Sequence, residues 1–211
     1  MKTNEIEEYK EISDSEIDEF ASIYSSWAKQ HKKIFYDANR KYPKDRSLYE
    51  PIEIYAGYGA RDINSYLRGL GDGIEVHESL RFKWEGVVTT IRLSILSAPR
   101  IPSNMLVYRW VPKSVIEDMI SRRDLSYREY GFLSTSLIPD ARPEHVNSEY
   151  ELIQIKVDSG TPAIFVDTIV QRSEYELLFL DDCILKYEAK EYDKRAYRDV
   201  YVVRLTYYPV L

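Results

Sequence analysis

Two glutamates, Glu174 and Glu176, stand two positions apart in the apolar segment RSEYELLF. On a strand, side chains at i and i+2 project from the same face, so we expect the two carboxylates to lie side by side. Neighbouring carboxylates repel each other unless water or cations attend them, which favours a position in a cleft. A carboxylate in a cleft can stabilise positive charge that develops during a reaction. The pair alone fits a solvated strand face equally well.

Two other segments carry polar side chains within apolar strands. Arg109 lies in LVYRWV, where a guanidinium is costly unless it meets a carboxylate or a phosphate. The segment YGFLSTS ends in Ser134, Thr135 and Ser136, of which the two serines share one strand face and the threonine takes the other. Taken separately, the first segment fits a half-exposed strand arginine and the second an edge strand.

The order of these three segments is more specific than any one of them. Arginine, then Ser-Thr-Ser, then Glu-X-Glu resembles the arginine-serine-glutamate class of bacterial mono-ADP-ribosyltransferase toxins, and the match covers about residues 54–207. Two more segments are similar to that family: IEIYAGYGARDINSYLRG to the helix beside its NAD site, and ELIQIKVDSGTPAIFVD to its segment between the serines and the glutamates. The pentapeptide SEYEL occurs at 148–152 and again at 173–177, and the resemblance assigns the catalytic pair to the second copy.

The resemblance implies that the chain uses NAD as a co-substrate and transfers its ADP-ribose to a protein. Glu176 matches the carboxylate that stabilises the positive charge on the ribose as the nicotinamide bond breaks. Arg109 matches the arginine whose planar guanidinium holds NAD phosphate oxygens. Ser134 matches the serine that braces the catalytic glutamate, and Thr135 and Ser136 match residues that shape the nicotinamide wall.

Further pocket residues follow from the same resemblance. Tyr55 and Asn64 match residues that line the pocket from the helix side, and Arg142, in the loop after the serines, could reach a phosphate. Glu174 matches the residue that, as a glutamate, goes with arginine acceptors, because a carboxylate can orient a guanidinium and help to deprotonate it. A glutamine there goes with asparagine or guanine-base acceptors.

The chain departs from related binary-toxin enzymes at two positions, so their particular target does not transfer. Trp110 replaces a second arginine, and Gln171 replaces an aromatic residue that can contact the acceptor protein. Two alternatives to protein-arginine transfer stay open. One is an enzyme that chiefly hydrolyses NAD, since the same bond cleavage precedes both outcomes, and the other is a catalytically silent binding module of the same fold.

The elements that must position these residues are helices first and strands afterwards, which predicts an α+β fold. Ser13 and Glu16 form a capping box that opens an amphipathic helix. Further helices are predicted at 60–68, 75–96 and 113–121, and strands at 105–111, 131–137, 151–157, 163–166, 174–180, 184–187 and 200–207. We expect a single catalytic domain over residues 1–211, with 1–50 as a helical extension packed on it and a mixed or antiparallel two-sheet core.

Composition excludes several other classes of protein. The net charge of -6 argues against a nucleic-acid partner, and the longest apolar run, 87–96, is interrupted by Arg92 and too short to span a membrane. Cys183 and the three histidines show no metal-ligand spacing, so we expect no metal. The first 20 residues are polar and acidic and lack the basic and apolar regions of a secretory signal, so we expect either that the chain stays inside the cell or that a leader was removed. The resemblance to the toxin family implies a monomer that is secreted or delivered into a target cell, with a possible delivery component, and that acts in the cytosol of that cell.

Overall fold

The computed structural model describes residues 8–40, 51–143, 146–170 and 174–207. Its helices are α1 Asp14–Arg40, α2 Pro51–Ile54, a π-helical turn Tyr55–Gly59, α3 Ala60–Gly71, α4 Glu78–Ser97, α5 Lys113–Ser121 and α6 Asp167–Val170. Its strands are β1 Met105–Pro112, β2 Ser126–Glu129, β3 Leu133–Ser136, β4 Tyr150–Val157, β5 Ala163–Phe165, β6 Glu176–Phe179, β7 Cys183–Asp193 and β8 Arg198–Tyr207. The predicted α+β class is confirmed.

The first helix begins where the capping box predicts. The backbone N–H of Ser13 donates to the Glu16 carboxylate over 2.8 Å. Ile17, Phe20 and Tyr24 recur on one face of α1 and are buried against α6 and β5. Residues 8–40 are the described part of the predicted N-terminal extension, and 41–50 lie outside the described residues.

The strands form one sheet in the order β2-β7-β8-β4-β1-β3-β6-β5. Neighbouring strands are antiparallel, except that β4 and β8 are parallel. One hydrogen-bonded sheet contains all eight strands, so the expected division into two sheets is not confirmed. The join between β1 and β3 rests on a single registered pair, Tyr108 and Ser136. The three sequence segments singled out above lie on β1, β3 and β6, on both sides of this narrow join.

The two faces of β1 contribute to different parts of the core. Val107 and Val111 belong to the main cluster, which also contains the buried faces of α1, α3 and α4. Tyr108 belongs to a second, smaller cluster with Leu152, Val200 and Val202 from β4 and β8. Because side chains alternate along a strand, Arg109 lies on the main-core face and Trp110 on the face of the second cluster.

Candidate active site

The structure brings Ser134 and Glu176 into direct contact. Cross-strand pairing places Ser136 opposite Glu176 and Ser134 opposite Leu178, so Ser134 and Glu176 are diagonal neighbours on one face. The Ser134 hydroxyl donates to Oε1 of Glu176 over 2.6 Å. A charge-assisted hydrogen bond of this length fixes the orientation of the carboxylate.

Arg109 extends this contact to the neighbouring strand. Its Nη1 donates to the backbone oxygen of Ser134 over 2.9 Å. The Arg109 side chain is 20% exposed. A guanidinium that is mostly buried needs an acceptor, and the backbone of β3 supplies one. Arg109, Ser134 and Glu176 therefore form one continuous hydrogen-bonded chain across β1, β3 and β6.

The ionic partner of Arg109 is a residue that the sequence reasoning missed. Glu129, the last residue of β2, has a side chain that is 6% exposed and lies 3.7 Å from Nη2 of Arg109. The same carboxylate accepts two hydrogen bonds of 2.9 Å from Arg68 on α3 and one of 2.8 Å from the Gly131 N–H. The sequence predicts that Arg109 needs a carboxylate or a phosphate as its partner, and Glu129 is that carboxylate. Two guanidiniums around one carboxylate leave a net positive charge, which suits an anionic ligand.

Tyr55 and Asn64 are nearly enclosed and hold the start of β3. The Asn64 amide donates to the Tyr55 hydroxyl over 3.0 Å, and its oxygen accepts from the Phe132 N–H over 2.9 Å. A Cβ at Gly131 would lie 2.9 Å from the Asn64 side chain, so this approach requires glycine. The pKa of Tyr55 is raised well above its usual range by burial; Arg109 opposes the rise and Glu176 adds to it. Tyr55 therefore lies within electrostatic reach of both residues.

Thr135 and Ser136 point their hydroxyls at different backbone groups. Thr135 is buried on the face of β3 opposite to Ser134, and its hydroxyl donates to the Leu177 oxygen over 2.9 Å. The Ser136 hydroxyl donates to the Glu174 backbone oxygen over 3.4 Å and accepts from the Ile138 N–H over 3.2 Å. Both residues tie β3 to β6 or to the turns beside it.

The expectation that Glu174 and Glu176 project from one strand face is wrong. The strand begins at Glu176, not at Glu174, and Tyr175 between them has φ 54°, in the left-handed region that breaks the period-two alternation. Leu137 contributes to this shape, since its N–H donates to the Tyr175 oxygen over 3.0 Å. As a result Glu174 is exposed, whereas Glu176 is half-buried.

Asp167, at the start of α6, holds the backbone at this point. Its carboxylate accepts from the N–H groups of Tyr175, over 2.7 Å, and Glu176, over 3.2 Å. Burial raises the pKa of Asp167, with the charge of Glu174 adding, while the two backbone N–H groups oppose the rise. No local sequence pattern predicts this contact, because it joins residues eight and nine positions apart through a loop.

Arg142 is not brought to this group of residues. Its Nη2 donates to the Val146 oxygen over 3.0 Å, and its guanidinium carbon lies 5.2 Å from the centre of the Trp110 ring. Trp110 alternates with Arg109 and so lies on the other face of β1. Gln171 lies outside the described residues.

Two further features bear on the class of protein. Over the ranges that the structure describes, no group of three or more His, Cys, Asp or Glu could hold a metal ion, and none of the helices is long and apolar enough to cross a membrane. Cys183 lies opposite Glu129 across β7 and β2, and burial raises the pKa of its thiol far above the usual range. A buried thiol that resists ionisation is a poor nucleophile and a poor metal ligand.

Comparison with known proteins agrees with this geometry. Residues 23–202 match the family described as ADP-ribosyltransferase exoenzyme. No curated protein sequence matches the chain. Among solved structures, the Clostridium limosum C3 exoenzyme has 20% identity and a TM-score of 0.58, with 94% of this chain and 98% of that chain covered. The Vis toxin of Vibrio splendidus has 19% identity and a TM-score of 0.56, with 94% and 88% covered.

A third structure is that of C3stau2 from S. aureus with NAD, which has 14% identity and a TM-score of 0.56, with 84% of this chain and 95% of that chain covered. At these identities the likeness shows the fold. The sequence match to the family spans most of the chain and includes β1, β3 and β6. The chain therefore belongs to the ADP-ribosyltransferase exoenzyme family, whose structurally known relatives are bacterial mono-ADP-ribosyltransferase toxins.

Proposed function

We propose that the chain splits NAD and transfers its ADP-ribose to an arginine side chain of a target protein. The observation that carries the proposal is the hydrogen-bonded chain from Arg109 through Ser134 to Glu176. It places a cation, a hydroxyl and a carboxylate together at the narrow join of the sheet. Membership of an exoenzyme family supports delivery into a target cell and action in its cytosol.

Glu176 is the catalytic carboxylate of the proposal. Cleavage of the bond between nicotinamide and ribose leaves positive charge on the ribose, and a carboxylate already in place stabilises that charge without reorganising. The Ser134 hydroxyl keeps the carboxylate oriented over 2.6 Å, and Asp167 fixes the backbone N–H of Glu176 itself. The orientation of the carboxylate is therefore set by two independent contacts.

The NAD phosphates would be bound by the positive side of the site. Arg109 and Arg68 converge on Glu129, and the net positive charge complements a diphosphate. Ser136, Tyr55 and Asn64 would form the wall behind the nicotinamide end, with Tyr55 and Asn64 acting through the start of β3. Thr135, on the opposite face of β3, would support this wall through its hydrogen bond to Leu177. The structure of C3stau2 with NAD supports the co-substrate. The contact between Arg142 and a NAD phosphate stays a prediction. The position of the Arg142 guanidinium over the Trp110 ring does not favour that contact.

Glu174 would select the acceptor. It is exposed just before β6, where an incoming guanidinium can approach without displacing Glu176. Its carboxylate would accept hydrogen bonds from the guanidinium and take up a proton as the nitrogen attacks the ribose carbon and nicotinamide leaves. Vis has been solved in complex with agmatine, a molecule that ends in a guanidinium group.

The duplicated pentapeptide offers a matched test of the central claim. We expect Glu176→Gln to lower nicotinamide release by roughly a hundredfold or more, because a neutral amide cannot offset the charge on the ribose. Glu151→Gln changes the equivalent glutamate of the other copy and should leave the rate near wild type. Equal rates in wild type and Glu176→Gln would remove the proposal, and a wild-type chain that consumes no NAD would favour the silent binding module.

A second pair of variants separates transfer from hydrolysis. Glu174→Gln should abolish arginine labelling in a protein lysate while nicotinamide release without acceptor stays a substantial fraction of wild type. Glu149→Gln is its counterpart in the first pentapeptide and should change neither activity. If both activities fall together in folded Glu174→Gln, then Glu174 acts on NAD. If wild type releases nicotinamide but labels no protein, then the chain is chiefly a hydrolase.

A further inference from the structure

Helix α4 carries a row of apolar and small residues on the face that turns away from the core. Phe82 is 91% exposed and Leu93 is 61% exposed, whereas the opposite face of the helix is buried. We propose that the row, which consists of Phe82, Gly86, Thr89, Leu93 and Leu96, is the contact surface between two copies of the chain; we call it the α4 seam. This goes beyond the proposed function and departs from the monomer that the family resemblance implies.

The α4 seam has the spacing of a surface that pairs with another helix. Its successive members are four, three, four and three positions apart, which is the heptad spacing of helices that pack lengthwise. A surface helix normally presents charged and polar residues on the side that faces solvent. Single exposed apolar side chains are common, but Phe82, Leu93 and Leu96 share one stripe of α4, and grouped apolar exposure marks an interaction site.

Gly86, in the middle of the α4 seam, points to a close neighbour. A glycine inside a helix is less favourable than an alanine, so it needs a specific reason. No other part of the described chain would lie within 4 Å of a Cβ at Gly86, and its φ is outside the left-handed region. A neighbour outside the single chain supplies the reason, because glycine lets another backbone approach closely and Thr89, one turn later, is also small.

Two copies of α4 complement each other when they run in opposite directions about a twofold axis. With Gly86 of one copy opposite Thr89 of the other, Phe82 lies opposite Leu93 of the second copy, since the two pairs share one midpoint along the helix. Each contact then occurs twice, as in a symmetric dimer. Large side chains meet at both ends of the seam and small ones meet at its centre, so the same surface fits itself.

The charges beside the seam favour the same arrangement. Glu85 and Arg92 lie on one flank of the seam, each directly before a seam residue. In an antiparallel pair this flank meets the same flank of the second copy, so Glu85 of each copy faces Arg92 of the other. Arg92 is held in place by Asp181, to which its Nε and Nη2 donate, and its side chain is 46% exposed. Its position is therefore fixed while part of its guanidinium stays accessible.

Association of the full chain in solution tests the proposal, by sedimentation velocity and light scattering. The seam is only two heptads long, so we expect a reversible dimer with a Kd of about 10–100 µM. Phe82→Ser and Leu93→Ser should each weaken the dimer by about tenfold or more, because the burial of each side chain is lost twice. Ile120→Ser changes an exposed apolar residue of α5, outside the seam, and should dimerise like wild type.

Two more variants test the antiparallel arrangement. Gly86→Gln adds a side chain where the single chain has room, and glutamine is the better helix former. This variant should therefore keep or raise the melting temperature while it weakens the dimer by about tenfold or more. Glu85→Arg places like charges opposite each other and should weaken the dimer by about tenfold at low salt, and by less at high salt.

Three outcomes would overturn the proposal. The first is a wild-type chain that stays monomeric at about 500 µM, well above the expected Kd. The second is a dimer that keeps its full strength in Phe82→Ser and Leu93→Ser, because another surface would then hold it together. The third is full-strength association of Gly86→Gln or Glu85→Arg, which would exclude the antiparallel contact. These measurements do not involve NAD, so a failure of the proposed function would leave their outcome unaffected.

Discussion

Glu129→Gln is the substitution that tests how the site is positioned. Glutamine has nearly the same shape as glutamate but carries no charge and has only one oxygen. The carboxylate of Glu129 accepts both Arg68 hydrogen bonds and the Gly131 N–H, and it lies 3.7 Å from Arg109. In the variant an amide NH2 would face a guanidinium N–H, so Arg109 would lose its ionic partner and its fixed orientation beside Ser134.

The contacts set the expected size of the effect. A hydrogen bond to a charged group contributes about 1.5–3 kcal/mol, and breaking a fully buried pair costs about 3–5 kcal/mol. The Arg68 side chain is 39% exposed, so water offsets part of the loss, and the lower range applies. We expect the variant to unfold about 2 kcal/mol more easily, which lowers the melting temperature by about 4–8 °C for a chain of this size.

The kinetic effect should fall on kcat. Removing the negative charge of Glu129 leaves the two guanidiniums more positive, which favours NAD binding, while the loss of orientation opposes it. These effects offset each other in KM, which should change by about threefold or less. Misplacement of Arg109 should raise the free-energy barrier of the step in which positive charge develops on the ribose. We therefore expect kcat to fall by about 10- to 100-fold, which is equivalent to about 1.4–2.8 kcal/mol. Nicotinamide release at varied NAD concentration measures both parameters.

The pattern of the two parameters decides the role. A folded variant with lower stability but unchanged kcat and KM would mean that Glu129 only supports the fold. A raised KM with unchanged kcat would mean that it acts on NAD binding alone. Glu117→Gln, an exposed glutamate on α5, is the matched control for loss of one carboxylate and should change neither parameter.

Three further outcomes follow from the same geometry. Arg109→Lys keeps the charge but loses the planar fork, so kcat/KM should fall by at least about tenfold; unchanged kinetics would leave Arg109 as a strand residue. Ser134→Ala removes the hydroxyl that orients Glu176, and nicotinamide release should slow by about tenfold, whereas full activity would show that other contacts suffice. Burial raises the pKa of the Cys183 thiol, so iodoacetamide at pH 8 should label this residue in denaturant but not in the native protein; rapid native labelling would contradict the burial.

Local features of the sequence predicted the elements that carry the site. The capping box predicted the start of α1, and α5 has the predicted bounds, 113–121. Alternating and apolar runs predicted β1 and β4 to within one residue. These signals depend on neighbours along the chain, and so does the order of arginine, serines and glutamates that indicated the family. Local sequence therefore predicts the residue types of the proposed reacting groups without any knowledge of the tertiary contacts.

Contacts between distant segments decided what the sequence could not. Although β2 pairs with β7 at the far edge of the sheet, only three residues separate Glu129 from β3, and β3 pairs with β1, which carries Arg109. The short β2 was not predicted. Glu174 departs from the face of Glu176 because Asp167 and Leu137 hold Tyr175 in a left-handed conformation. A period-two pattern assumes regular strand geometry, and only the packing of a loop against other elements can override it.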